Sequence, residues 1–82
     1  MFYVYILRSR QNKSYYIGHT DNFVRRIAEH NSGKNISTKA KAPWDLVRKE
    51  FFNTRAEAMK REREIKNKKR KSYIEWLINQ VD

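Results

Sequence analysis

Three titratable or charged side chains fall where a surface helix would carry apolar ones. A helix turns by about 100° per residue. With Phe23 and Ile27 taken as the buried stripe of a helix that runs to about Asn31, His30 projects between them and Arg26 lies at the stripe's edge, while Arg25 points to water. On a later helix Ala58 and Ile65 mark the inward face; Glu62 projects onto it, whereas Glu64 lies off it among Lys60, Arg61 and Lys68. A carboxylate among apolar neighbours is costly unless it is paired or bound to a metal. Two tyrosines join the set. In a hairpin with an even loop, Tyr5 and Tyr16 share one face as diagonal neighbours. Each group has a plain reading beside a functional one. Arg26 can snorkel, His30 can be a hydrogen-bonded core residue, the phenols can be cross-strand packing, and Glu62 can be half of a buried ion pair, with Arg26 as candidate partner. The functional reading is a cleft where a carboxylate, a cation, an imidazole and two phenols converge.

The other acids limit that chemistry. Glu57 and Glu75 belong to capping patterns, Asp21 is a candidate cap, Asp82 is terminal, and Glu29, Asp45, Glu50 and Glu64 read as solvated charges or local ion-pair partners. No pair of carboxylates stands out for a two-metal site. Phosphodiester cleavage by this chain would therefore use one metal, one carboxylate, and other groups for proton and charge. Asp45 with Glu64-Ile65-Lys66 imitates the Asp…Glu-x-Lys pattern of many restriction-type nucleases. That pattern needs a strand, and on a helix residues two apart diverge.

Composition narrows the partners. Lys and Arg number 19 against 9 Asp and Glu, a net charge of +10, with a pI of ≈ 10.2. Such an excess on a small domain points to a polyanion, because each phosphate contact releases counterions. The basic helix is too polar for a membrane-surface helix, and no apolar run is long enough to span a bilayer. Cysteine is absent, which excludes disulfides, cysteine zinc sites and a thiol nucleophile. The first residues read as a strand and not as a signal peptide, so the expected location is the cytoplasm. The chain length suits one domain over 1–82.

The elements that must position these groups follow from pattern. Residues 2–9, FYVYILRS, are β-branched and aromatic. Phe2, Val4 and Ile6 face one way and Tyr3, Tyr5 and Leu7 the other, so the strand is expected at the centre of a sheet covered on both sides. RQNK reads as a turn and 14–20 as the returning strand. Thr20 or Asp21 is the expected cap of the next helix, with Gly33 as its stop. Residues 31–43 read as a loop and 44–52 as a third strand. Thr54-Arg-Ala-Glu57 and Ser72-Tyr-Ile-Glu75 are two capping boxes, opening helices over roughly 55–68 and 73–80. The order is ββαβαα. It gives an α+β fold with a small, mainly antiparallel three-stranded sheet flanked by helices.

Tyr3-Val4-Tyr5, Tyr16-Ile17-Gly18, Arg26, His30, and Glu62 in AMKRE stand in the order and spacing of the GIY-YIG nuclease family, which this chain resembles from Tyr3 to about Lys66. It looks most like the small stand-alone bacterial branch, which shares the Tyr-Val-Tyr form of the first motif. His19 stands where many relatives have Lys, the late Asn of repair and homing members has no clear match near Ile74, and the zinc module of branch-resolving relatives is excluded. The resemblance implies a metal-dependent endonuclease that hydrolyses phosphodiester bonds in nucleic acid, DNA before RNA. In it Glu62 would hold one Mg²⁺ or Mn²⁺, Arg26 would neutralise the phosphoryl oxygens, Tyr5 or Tyr16 would orient or deprotonate the water, and His30 would assist or hold a phenol. Lys34, Lys39 and Lys41, with Lys66, Lys68, Lys69 and Arg70 beyond the metal helix, would track the backbone. Phosphate contacts carry no sequence information, so little sequence preference and strong salt dependence are expected. The alternatives are a basic nucleic-acid-binding module that does not cleave and a domain whose basic surface meets an acidic protein. Oligomeric state is left open, because Trp76 and Leu77 suit a core or an interface equally.

Overall fold

Alternating side chains on Phe2–Ser9 serve two cores at once, and this sets the architecture. The computed structural model describes residues 1–33, 36–68 and 70–80. Strand β1 (Phe2–Ser9) lies between β2 (Tyr15–Thr20) and β3 (Trp44–Phe52), antiparallel to both. On one face Val4 and Ile6 pack with Ala58 and Ile65 of α3 (Arg55–Lys68) and Leu77 of α4 (Lys71–Ile78). On the other, Tyr5 and Leu7 pack with Trp44, flanked by Tyr16 and by Ile27 of α1 (Phe23–Ser32). The α+β class, the three-stranded antiparallel sheet and the central place of the first strand agree with the sequence reading. Burying Ile65, which is 1% exposed, contributes roughly 1.5–3 kcal/mol.

The β1–β2 turn shows how local chemistry sets register. Lys13 N–H donates to Ser9 O at 3.0 Å, and Lys13 takes a φ of 63°. Asn12 Oδ1 accepts from both the N–H and the hydroxyl of Ser14, which keeps Ser14 in the turn and starts β2 one residue later than expected. Leu7 then faces Tyr16 and Tyr5 faces Gly18.

Three local expectations need correction. The cap of α1 is Asn22, whose side chain accepts from Arg25 N–H at 3.1 Å; Thr20 sits two residues earlier and accepts from Asn22 N–H. Part of the expected loop forms a short helix, α2 (Ile36–Lys39). Helix α4 starts at Lys71, with Arg70 at the cap position and no side-chain capping bond, so the Ser72–Glu75 box does not open it. The Thr54–Glu57 box does form: Thr54 N–H donates to Glu57 Oε1 and Glu57 N–H to Thr54 Oγ1. Gly33 ends α1 in the left-handed conformation, φ 82°, which only glycine adopts without penalty.

Candidate active site

The site is built around a missing side chain on an edge strand. Gly18 pairs with Tyr5 across β1 and β2, and a Cβ at position 18 would lie 2.5 Å from the Tyr5 hydroxyl oxygen. The glycine therefore lets the Tyr5 ring cross β2 and carry its hydroxyl to the open edge of the sheet. Tyr16 lies beside it on the same face, with ring centroids 6.2 Å apart and planes at 23°. Strand alternation sends Ile17 and His19 to the opposite face, which α3 covers, and there Glu62 meets His19. Groups from both faces thus converge on one pocket of about 220 Å³, lined by Tyr5, Tyr16, Ile17, Gly18, His19, Arg26, Glu62 and Lys66.

Behind the pocket, His30 fixes Tyr5. It is the one fully buried residue of α1, which the sequence projection places between Phe23 and Ile27. Its Nε2 lies 3.1 Å from the Tyr5 hydroxyl and its Nδ1 2.9 Å from Thr38 Oγ1. Burial, and then the charge of Arg26, push the imidazole below its ordinary value, so it is neutral at pH 7 and one ring nitrogen must accept. The buried imidazole is thus held at both ring nitrogens, by the Tyr5 hydroxyl at Nε2 and by the Thr38 hydroxyl at Nδ1. Arg26 lines the same pocket as Tyr5. Burial raises the Tyr5 phenol above its ordinary value, against the opposing pull of Arg26. Arg26 is also anchored by Glu29, Nη1 to Oε1 at 2.9 Å.

Glu62 is held from two sides. Its Oε1 lies 2.6 Å from His19 Nδ1 and its Oε2 2.7 Å from Lys66 Nζ. Burial works against the charge, but the hydrogen bonds from Lys66 and His19 outweigh it, and Glu62 titrates below its ordinary value. It is an anion at neutral pH. A carboxylate offers about four lone-pair positions, so both oxygens keep acceptor capacity on the pocket side. Among the described residues no group of three or more His, Asp or Glu could hold a metal. A single carboxylate with spare lone pairs, open to water, nevertheless fits a hard divalent cation that keeps most of its own waters.

The structure brings Tyr5, Tyr16, Arg26, Glu62 and Lys66 together, with His30 directly behind Tyr5 and not in the pocket wall. The ion-pair partners of Glu62 are His19 and Lys66, and not Arg26. Lys66 thus sits in the pocket and not only on an outer track. Lys39, Lys41, Lys68 and Arg70 are exposed and do not line it. Lys34 and Lys69 lie outside the described residues. Asp45 pairs with Arg10 at 2.8 Å while Glu64 is exposed, so the restriction-type pattern does not assemble. His19 is the pocket residue that sequence reasoning passed over. Part of its signal was available: strand alternation places it on the face opposite Tyr16, but not which helix covers that face.

Comparison with known proteins bears on the family and the fold. The family description "GIY-YIG catalytic domain" matches residues 1–75. A UPF0213 protein of Staphylococcus haemolyticus is 43% identical over 76 residues, covering 92% of this chain and 92% of its own. A UPF0213 protein of Streptococcus pneumoniae is 42% identical over 81 residues, 98% of this chain and 81% of its own. The solution NMR structure of a UPF0213 protein from Bacillus halodurans superposes with a TM-score of 0.60 at 38% identity, covering 95% of this chain and 83% of that one.

Proposed function

The chain belongs to the GIY-YIG catalytic-domain family, and on that premise we propose that it is a divalent-metal-dependent endonuclease acting on DNA with little sequence preference. One observation carries the reading: an ionised carboxylate, a guanidinium and two phenols share one pocket at the open edge of the sheet, in a chain of net charge +10.

Glu62 would hold one Mg²⁺ or Mn²⁺. The chemistry such a cation supplies when bound is polarisation of the phosphate and stabilisation of the leaving oxygen. Arg26 lines the same pocket as Tyr5 and neutralises charge on the phosphoryl oxygens. Tyr5, raised by burial and tied to His30, is a poor base and serves to orient the attacking water. Tyr16 is half-buried and closer to solvent, and is the phenol better placed to pass on the proton. His30 is a positioning residue that acts through Tyr5. One observation favours the alternative, a basic DNA-binding module that does not cleave: both oxygens of Glu62 are already engaged within the protein, by His19 and by Lys66.

The test is incubation with end-labelled single-stranded, duplex and flapped DNA, with and without Mg²⁺ or Mn²⁺, in parallel with Tyr5→Phe and Arg26→Ala. Cutting that requires metal and falls by about 100- to 1,000-fold in Arg26→Ala supports the enzyme. Salt-sensitive binding with no cutting of any substrate selects the module.

A further inference from the structure

Helix α4 leaves an indole in water. Trp76 is 56% exposed, whereas its neighbour Leu77 is 3% exposed. The ring is not loose. Tyr73, three residues back, stacks against it with centroids 5.9 Å apart and planes at 25°, and Tyr73 in turn packs on the core. Lys68 Nζ lies 5.4 Å from the Tyr73 ring centroid. Lys68, Arg70, Tyr73 and Trp76 wall a groove of about 520 Å³. A second groove of about 450 Å³ meets it at Arg70, runs past Tyr15 and Lys71, and ends at Lys66, which also lines the catalytic pocket. Along α3, Glu62 and Lys68 are separated by about 9 Å.

We infer that Trp76 is a base-stacking platform for an unpaired stretch of the DNA strand whose phosphodiester lies in the catalytic pocket, with Lys68, Arg70 and Lys71 on its phosphates. This rests on the nuclease reading for the identity of the strand. A rigid aromatic face rimmed by cations is what binds single strands, because an unpaired base offers its π-face and a duplex keeps its base faces inside the stack. Charge selects the occupant. Among the described residues no acid lines either groove, so a second copy placed here would set like charges against each other across a twofold contact.

Tryptophan fluorescence reads the platform without cleavage. Trp44 is 4% exposed and its Nε1–H is bound to Thr38 O, so collisional quenching by a ligand reports Trp76. The titration uses a short thymidine oligonucleotide in EDTA at low salt, with affinities from anisotropy of the labelled oligonucleotide. The expected result is saturable quenching by the single strand, lost in Trp76→Ala. The single-strand affinity of Trp76→Ala should fall by about 5- to 150-fold, the worth of one stacked base, with blunt-duplex affinity unchanged and Trp76→Phe close to wild type. Quenching that persists in Trp76→Ala, an equal loss on single strand and duplex, no loss at all, or a dimer in light scattering that dissociates in Trp76→Ala would each overturn the platform. Because metal is absent, stacking without cutting in the earlier assay would remove the endonuclease reading and leave the platform standing. Cutting with no Trp76 effect would do the reverse.

Discussion

Glu50 and Glu62 are both carboxylates drawn into the layer beneath α3, with side chains 15% and 18% exposed, yet they are held in different ways. Glu50 is clamped by guanidinium groups. Arg61 reaches it with Nε at 2.7 Å and Nη2 at 3.1 Å, and Arg48 with Nε at 2.8 Å. Arg48 is itself tied to Leu77 O at 2.9 Å. Glu62 is held by an imidazole and by Lys66, whose side chain is 52% exposed. For both acids burial raises the pKa and the partners more than reverse it: Arg61 and Arg48 for Glu50, Lys66 and His19 for Glu62. A guanidinium fork is planar and pre-organised, whereas an ammonium on a flexible stem is a point charge that can swing away. The lesson is that a buried acid does not by itself mark a site. What distinguishes Glu62 is a partner able to yield, and a pocket with tyrosines on the other side.

Exchanging each acid for its amide breaks the comparison most sharply. Glu62→Gln is expected to lower metal-dependent cleavage by at least about 100-fold with a small change in thermal midpoint. Glu50→Gln removes the charge shared by Arg61 and Arg48 and is expected to cost about 2 kcal/mol. By calorimetry that is a drop of about 8–16 °C in midpoint for a domain of this size, with activity per folded molecule close to wild type. A stability loss in Glu62→Gln as large as that in Glu50→Gln would erase the distinction.

Gly18→Ala comes next. The added methyl meets the Tyr5 hydroxyl oxygen at 2.5 Å and its Cζ at 2.8 Å, so the phenol must leave its place over β2. The expected cost is about 1–3 kcal/mol in urea denaturation, together with loss of cleavage in the folded protein. Retained cleavage would show that Tyr5 need not reach the sheet edge.

The smallest effect is in the pH dependence of stability. Glu50 and Glu62 are depressed in the fold from an ordinary value of 4.5. Their contribution is therefore fully present above about pH 4.5 and is lost as pH falls through the lower folded values. His30 is depressed from 6.5, so its neutral form is favoured by folding. Its contribution is present above about pH 6.5 and declines as pH falls below that. Urea midpoints should rise with pH across both windows, and Glu50→Gln should flatten the acidic one alone.

Much of the frame was legible because its causes are local. The apolar alternation of Phe2–Ser9, the Thr54–Glu57 box and the left-handed Gly33 each act within a few residues, and each formed as read. The Ser72–Glu75 box had the same pattern and did not open its helix, because the chain was already helical from Lys71. The inward projections of His30 and Glu62 were also legible, since helical periodicity alone gives them. That His30 would hold a phenol was expected from the family resemblance, and the phenol is Tyr5; what could not be read was the partner of Glu62. Glu62 finds His19 across 43 positions, and this depends on how β2 lies between α1 and α3. The guanidinium clamp on Glu50 escaped for the same reason, since Arg48 is close in sequence but Arg61 comes from α3.

The most direct measurement is the rate of cleavage of a flapped DNA as Mn²⁺ is titrated, at matched concentrations of folded wild type, Glu62→Gln and Glu50→Gln. Metal-dependent cutting by wild type and Glu50→Gln, and none by Glu62→Gln, is the predicted result. Equal cutting by all three, or none by wild type at any metal concentration, would contradict the assignment of this pocket as a nuclease active site.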